Sequence, residues 1–328
     1  MNSVFERLAP FIHEYVYNKR WTELKSIQSR AIEIILDTES HMLLSAGTAS
    51  GKTEAVFFPI LTQLLMEKPQ SVQVLYIGPL KALINDQFER INDLLTEANI
   101  KTWRWHGDVS ADKKKKLLER PSGILQITPE SLEAMMIRHT GDIVKLFCGL
   151  RYILIDEIHA FMGADRGGQL LCQITKIERW AKCRPRRVGL SATLNNPGDA
   201  AIWLGSGSGI PVECVVEGNT RKQVRLAVDW FAHDENAAPD AGGKGAPSST
   251  KSVFYDEIYK QCYDTKSIIF TNSRSEAEET ITHLRDIAKK LSAPDIFHVH
   301  HGSISKTLRL EAEESFISKS QSSLPSLS

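Results

Sequence analysis

Short apolar runs alternate with amphipathic stretches through the first two thirds of the chain. The runs are Met42–Ser45, Val72–Ile77, Lys101–Trp105, Ile124–Ile127, Tyr152–Ile155 and Arg187–Leu190. Separated by stretches of helical period, they predict βαβ units and a parallel sheet, an α/β fold. Ahead of the first run, Val4, Phe5, Leu8, Phe11 and Ile12 are spaced for one or two short helices interrupted at Pro10. Ser26–Leu36 has the period of another helix, and so does Glu54–Glu67. Ile210–Val216 and Val224–Trp230 read as two further strands. Residues 234–250 are small and polar with no apolar period. They bury too little surface to order themselves, which predicts a flexible insertion. Beyond it come a helix over Ser252–Cys262, a strand at Ser267–Phe270, a helix over Ser275–Leu291 and a strand at Ile296–Val299. About seventy residues with two strands are too few for an independent parallel sheet covered on both faces.

The chemistry lies in the segments between run and helix. After the first six runs stand Ala46–Thr53, Gly78–Leu83, His106–Asp108, Thr128–Ser131, Asp156–His159 and Ser191–Thr193. In an open α/β sheet the strand C-termini share one edge and ligands bind in the crevice there, so these six polar segments are expected to converge on one site.

Ala46-Gly47-Thr48-Ala49-Ser50-Gly51-Lys52-Thr53 lies between a strand and a helix and reads as a phosphate-binding loop, although the full pattern places glycine where Ala46 stands. Small residues let backbone N–H groups crowd a polyphosphate, and the new helix points its positive end at the same charge. Lys52 is placed to reach the β- and γ-phosphates, and the Thr53 hydroxyl to meet Mg²⁺. Adjacent carboxylates at a strand end face different ways, which assigns Asp156 to the metal and Glu157 to the base that polarises the attacking water.

Composition narrows this without redirecting it. The 328 residues hold 40 basic and 40 acidic side chains, so a nucleic-acid surface would have to be a local groove. The five cysteines are scattered without a C-x-x-C pair, which suits a reducing compartment, and the ten histidines lack metal-ligand spacing. The N-terminus has no apolar h-region and no run approaches the ~18 residues of a membrane span, so a soluble cytoplasmic protein is expected.

Motif by motif, DEIH with AGTASGKTEA, PLKAL, TPESL, SATL and HHGSIS, the chain resembles a superfamily 2 DEAD/DEAH-box-type helicase. It looks most like the Lhr-like (large helicase-related) branch, over about Trp21 to Glu314. The resemblance implies a RecA-like P-loop NTPase domain over 1–217, a connecting strand and insertion over 218–250, and a partial second RecA-like domain over 251–328. It implies ATP and Mg²⁺ as cofactors, held by Gln28, Gly47, Thr48, Ala49, Ser50, Gly51, Lys52, Thr53 and Glu54. Gln28, by itself a solvated helix residue, would read adenine. His159, Ser191 and Thr193 would couple the nucleotide to the second domain. Pro79, Lys81, Thr128, Pro129 and Glu130 match nucleic-acid-facing motifs of the first domain, and Thr271, Asn272, Arg274, His301 and Gly302 those of the second. The implied partner is single-stranded nucleic acid, or a duplex with a single-stranded tail, with DNA favoured. Such a surface grips phosphates and sugars rather than bases, so binding should be sequence-independent and salt-dependent, each neutralised phosphate adding a slope of about −0.7.

Other features take the plainer reading. Lys113–Lys116 reads as a solvated helix face, Trp103 and Trp105 as core residues on one strand face, and Gly167-Gly168 as a turn admitting close approach of nucleic acid. Relative to the family, Gly47 stands where proline is usual and Ala49 where glycine is usual. Two later motifs, one bearing the arginine finger, are missing after HHGSIS, and a separate chain or lost C-terminal part would have to complete the second domain. Because such a finger is worth roughly 10³–10⁵ in rate, the chain alone is expected to bind ATP and hydrolyse it poorly. The leading expectation is the N-terminal portion of an ATP-dependent helicase or translocase, with DNA repair or defence as analogy. A nucleotide-regulated nucleic-acid-binding module is the alternative, and a P-loop kinase ranks last.

Overall fold

The computed structural model describes residues 4–47, 50–66, 69–80, 84, 91–107, 109–192, 194, 196–217, 225–231, 250–263 and 265–318. The chain divides into two compact units, Met1–Lys222 and Gln223–Ser328.

In the first unit a short 3₁₀ turn, Phe5–Arg7, precedes α1 (Pro10–Asn18), α2 (Ser26–Asp37) and β1 (His41–Ser45). Next come α3 (Lys52–Leu64), β2 (Val72–Ile77), β3 (Thr102–Trp105), α4 (Ala111–Glu119), β4 (Gly123–Ile127), α5 (Pro129–Arg138) and α6 (Ile143–Phe147). The unit closes with β5 (Tyr152–Ile155), α7 (Asp165–Ala181), β6 (Arg186–Ser191), α8 (Pro197–Gly205) and β7 (Val212–Val216). The strands form one seven-stranded sheet in the order β3-β4-β2-β5-β6-β1-β7, every pair parallel.

Alternation along each strand feeds two cores. Met42, Leu44, Val74, Tyr76, Tyr152 and Leu154 pack under α1, α2 and α3, while Leu43, Leu75, Ile77, Ile153 and Ile155 pack under α5 to α8. Burial on both faces is why these strands read as continuous apolar runs. The pairing aligns strand ends: Ser45 lies opposite Ser191, and Ile77 opposite both Ile155 and Ile127. The edge strand β3 is partly exposed, and its Trp103 and Trp105 pack on the second core. Lys113, Lys115 and Lys116 are exposed along α4, while Lys114 lies over the Trp105 ring.

The opposite end of β6 carries two buried arginines that face opposite ways. Arg186 donates to the carbonyls of Ile34 and Ile35 near the end of α2, and to that of Ser40. Arg187 donates to the Glu178 carboxylate and to the carbonyls of Leu204 and Ser206. Each thereby ties carbonyls near a helix end in its own layer to the strand.

The second unit contains α9 (Thr250–Cys262), α10 (Arg274–Lys290) and α11 (Lys306–Ser318). Tyr259, Leu284 and Ala288 form a small core with Tyr263, Ile287 and Phe297 around it. The strands expected at Ser267–Phe270 and Ile296–Val299 are not formed, and residues 225–230 carry none either. Leu226, Val228 and Trp230 are 84–85% exposed and Phe270 is 89% exposed, and among the described residues of the unit no strand lies beside these segments to supply a ladder. Val224 and residues 234–249 of the expected insertion lie outside the described residues, as does Glu67. Among the described residues no helix is long and apolar enough to cross a membrane.

Gly167-Gly168 is not a turn, because both residues lie in the first turn of α7. A Cβ on Gly167 would meet the Phe161 carbonyl oxygen at 1.8 Å, whereas nothing lies within 4 Å of one on Gly168. Gly167→Ala should therefore cost about 1–3 kcal/mol by overpacking. Gly168→Ala should be neutral or gain up to about 1 kcal/mol from helix propensity, the two being compared by urea unfolding.

His41 is fully buried, and its Nδ1 accepts the Arg187 backbone N–H at 3.0 Å. Burial, then the charges of Arg187 and Arg186, lower its pKa from 6.5 to about 4. Between those values the unfolded chain holds the proton and the folded chain does not, so stability is full above pH 6.5 and falls as pH drops. The His41 contribution has a limiting slope of about 1.4 kcal/mol per pH unit. His41→Asn, which keeps an acceptor, should remove that part of the slope in unfolding measured from about pH 7 to 4.

Candidate functional site

The loop after β1 is held from both sides. The Ala46 N–H donates to the Ser191 carbonyl at 3.1 Å, and the Ser50 N–H to that of Gly47 at 3.3 Å. Gly51 caps α3 at φ 86°, a left-handed conformation, and a Cβ there would stand 2.6 Å from Gln28 Nε2. The backbone therefore calls for glycine, and a side chain there would also displace the Gln28 amide. Lys52 Nζ folds back on the loop and donates to the carbonyls of Ala46 at 2.6 Å and Gly47 at 3.0 Å. Thr53 is buried beside it. Thr48 and Ala49 lie outside the described residues.

Gln28 is buried, not solvated. Its Oε1 accepts the Lys25 N–H at 3.0 Å, which closes the first turn of α2, and its Nε2 lies 3.5 Å from the Gly51 carbonyl oxygen. Ser50 Oγ and Glu54 Oε2 are buried with no hydrogen-bond partner among the described residues. Such orphaned oxygens beside a lysine, a threonine hydroxyl and helix N–H groups suit a ligand that brings its own charge and water.

At the end of β5 the Asp156 N–H extends the ladder to the Ile77 carbonyl at 2.8 Å. The buried carboxylate accepts from two directions, the Glu157 N–H on Oδ1 at 3.0 Å and the Tyr76 hydroxyl on Oδ2. Burial raises the Asp156 pKa; the Tyr76 bond opposes the rise, the Glu157 charge adds to it, and the Glu157 N–H and Lys52 charge oppose it. Burial, then the Asp156 charge, pushes Tyr76 well above the usual phenol range, so it remains a donor. The oxygen donors of Thr53 and Asp156 suit Mg²⁺, which takes one or two protein oxygens and completes its shell with water and phosphate.

Glu157 sits at φ 47° and ψ 51°, left-handed for a residue with a side chain. That conformation costs on the order of 1 kcal/mol or more and is kept where the surroundings over-determine it. It leaves Glu157 Oε2 3.3 Å from His159 Nδ1, which also lies 3.0 Å from Ser191 Oγ. Glu157, His159, Ser191 and the loop at Ala46 are thereby linked in one string. Thr193 lies outside the described residues.

The segments after β2 and β4 meet through α7. Thr128 Oγ1 accepts the Ser131 N–H at 3.4 Å and caps α5, with Pro129 in its first turn. Arg166 donates as a fork to Glu130, at 2.5 and 3.1 Å, and to the Pro79 carbonyl at 2.7 Å. One face of the helix further along, Gln173 donates to the Pro129 carbonyl at 3.1 Å and to Glu133 at 2.8 Å. Neither Arg166 nor Gln173 stands out in the sequence as a site residue. Their spacing of seven on an amphipathic helix is the only signal, and it does not name the partners. Lys81 lies outside the described residues.

In the second unit Arg274 Nη1 donates to Ser303 Oγ at 2.7 Å, and its Nη2 stands 4.0 Å from a Cβ built on Gly302. His301 Nε2 lies 3.1 Å from Glu278 Oε1, the Asn272 N–H donates to Glu276 at 2.8 Å, and Thr271 Oγ1 donates to the Ser273 carbonyl at 3.0 Å. All five expected residues therefore gather around the start of α10.

Residues 25–200, which hold the loop, the Asp156–His159 turn and Ser191, match the DEAD/DEAH box helicase family. The chain belongs to that family. It is 29% identical over 318 residues to the Lhr helicase/uracil glycosylase of Escherichia coli K12, covering 85% of this chain and 20% of that protein. It is 27% identical over 333 residues to the ATP-dependent helicase Lhr-Core protein 2 of Thermococcus barophilus, covering 95% and 37%. Among solved structures, Mycobacterium smegmatis helicase Lhr bound to ssDNA and AMP-PNP superposes with a TM-score of 0.73 at 25% identity, covering 95% of this chain and 40% of that one. The chain spans a fifth to two fifths of the length of these relatives. The seven-stranded parallel sheet is the RecA-like fold of DEAD/DEAH box helicases.

Within this helicase fold the Glu130 pKa is lowered: burial raises it, and the Arg166 side-chain hydrogen bond, a backbone N–H, the Arg166 charge and the Thr128 hydroxyl together more than offset that. A lowered carboxylate pKa gives stability that is present above the unfolded value and lost as pH falls. A double-mutant cycle of Glu130→Gln and Arg166→Gln should give a coupling of about 0.5–1 kcal/mol in urea unfolding at about pH 7, vanishing in acid.

Proposed function

We propose that this chain is the ATP-binding portion of a nucleic-acid helicase or translocase, working in the cytoplasm and coupling ATP binding and hydrolysis to movement along single-stranded nucleic acid, with DNA favoured. The reading is carried by the string of contacts that joins the phosphate loop to the acidic turn: the Ala46 N–H bonds the Ser191 carbonyl, Ser191 Oγ bonds His159 Nδ1, and Glu157 Oε2 lies 3.3 Å from that nitrogen. Residues 1–217 form the first RecA-like domain, 218–250 the connection and 251–328 part of the second.

In this proposal the loop N–H groups of Gly47 to Glu54 and the Lys52 ammonium hold the polyphosphate, and Gln28 reads the adenine edge. Lys52 exchanges its bonds to the Ala46 and Gly47 carbonyls for phosphate oxygens. Thr53 and Asp156 hold Mg²⁺, which when bound neutralises charge on the phosphates. Glu157 takes the proton of the attacking water, its carboxylate turned by the left-handed backbone. His159, on both Glu157 and Ser191, passes the state of that carboxylate to the segment of Ser191 and Thr193. Pro79, Lys81, Thr128 and Pro129 face the phosphodiester backbone. Glu130 contributes by fixing Arg166 rather than by meeting phosphate, since a carboxylate repels it. Thr271, Asn272, Arg274, His301 and Gly302 supply the corresponding contacts in the second domain.

The test is binding of a fluorescent, non-hydrolysable ATP analogue to the full chain, then turnover with and without single-stranded DNA and RNA. Lys52→Ala should abolish nucleotide binding. Glu157→Gln should keep it while lowering any turnover by about 10²–10⁴. Nucleic-acid affinity should fall with salt, with a slope of about −0.7 per phosphate contact. A folded chain that binds no nucleotide, or a Lys52→Ala variant that binds as tightly as wild type, would sink the reading.

A further inference from the structure

The Asp156 carboxylate is fixed by two donors, and only one of them belongs to its own turn. The other is Tyr76 on the neighbouring strand β2, a residue 1% exposed in an apolar run. Parallel pairing sets Tyr76 opposite Leu154, two residues before Asp156 and on the same face, so the length of a phenol carries its hydroxyl to the carboxylate. The ring is held from behind by Phe57 of α3, the helix that begins at the phosphate loop, with centroids 6.3 Å apart and planes 28° from parallel.

We infer that Tyr76 is a positioning residue that fixes the direction in which Asp156 presents its oxygens to a Mg²⁺–nucleotide. This rests on the nucleotide-binding reading above. With the Glu157 N–H on Oδ1 and the Tyr76 hydroxyl on Oδ2, rotation of the carboxylate about its last bond breaks both contacts. Outer partners of this kind orient metal-facing ligands, and their loss typically costs about 10–100-fold in metal affinity or activity. A plain structural role, satisfying a buried phenol, has its own example one strand away. Tyr152 on β5 is equally buried, and its hydroxyl donates to Gln63 Oε1, away from the acidic turn.

That pair supplies the experiment. Wild type, Tyr76→Phe and Tyr152→Phe full-length chains are compared for the Mg²⁺ concentration that half-saturates binding of a fluorescent ATP analogue, and for Mn²⁺ bound with ADP by electron paramagnetic resonance. Tyr76→Phe should raise the half-saturating Mg²⁺ about 10–100-fold, and Tyr152→Phe should leave it at the wild-type value. Nucleotide binding without metal should be unchanged in both. Should Tyr76→Phe also lower the unfolding midpoint, the same change in an Asp156→Asn background decides: there it should shift the Mg²⁺ dependence less than about twofold, because its partner is already altered. Equal Mg²⁺ dependence of wild type and Tyr76→Phe, or equal shifts in the two phenylalanine variants, overturns the inference while leaving the nucleotide reading intact. If Lys52→Ala binds nucleotide like wild type, that reading fails and this one with it.

Discussion

The parallel register of β1 on β6 and of β2 on β5 is the constraint on which every distance in the site depends. It sets Ser45 level with Ser191 and Ile77 level with Ile155, so the next residue along each strand emerges at one height. From there the backbone makes the connections: Ala46 to the Ser191 carbonyl, and Asp156 to that of Ile77. A slip of one residue in either pair would turn Tyr76 or Leu44 to the wrong core and carry the acidic turn away from the loop. Burial of both sheet faces makes that slip prohibitive, and in this sense the apolar layers hold the polar edge in place.

The two ends of the sheet are built differently. At the N-terminal end of β6, Arg186 and Arg187 have their bonds satisfied by carbonyls and by Glu178, and they knit the helix layers to the strand. At the other end Asp156 is buried against its own ionisation, Glu157 is held at a positive φ, and Ser50 and Glu54 keep buried oxygens without described partners. Unfavourable groups collected at the edge of the loop and the acidic turn are what a binding site costs, while the arginines at the opposite end have their donors satisfied.

Much of this is legible in the chain itself, because buried parallel strands leave continuous apolar runs and glycine beside lysine and threonine marks a loop. The six runs from Met42 to Leu190 form strands within a residue or so of their expected ends. Partners chosen by the tertiary structure leave no such trace. Tyr76 is one apolar letter in a run, Arg166 only the residue before two glycines, and Gln28 a polar side chain on a helix, yet their roles in the fold come from strands and helices far away in sequence. The strands expected beyond residue 223 fail for the converse reason. Their local pattern is sound, but a ladder needs neighbours, and among the described residues of the unit no strand pairs with 225–230 or 267–270.

The Arg166 fork has a mechanical side. Three hydrogen bonds from one guanidinium join the Pro79 carbonyl to the Glu130 carboxylate, and Arg166 stands at the head of a helix whose Gln173 grips Pro129. The ends of β2 and β4 cannot drift apart without breaking that joint. A load drawn along either segment is therefore shared with the other and with the long helix behind them, so this face yields as one plate rather than as separate fingers.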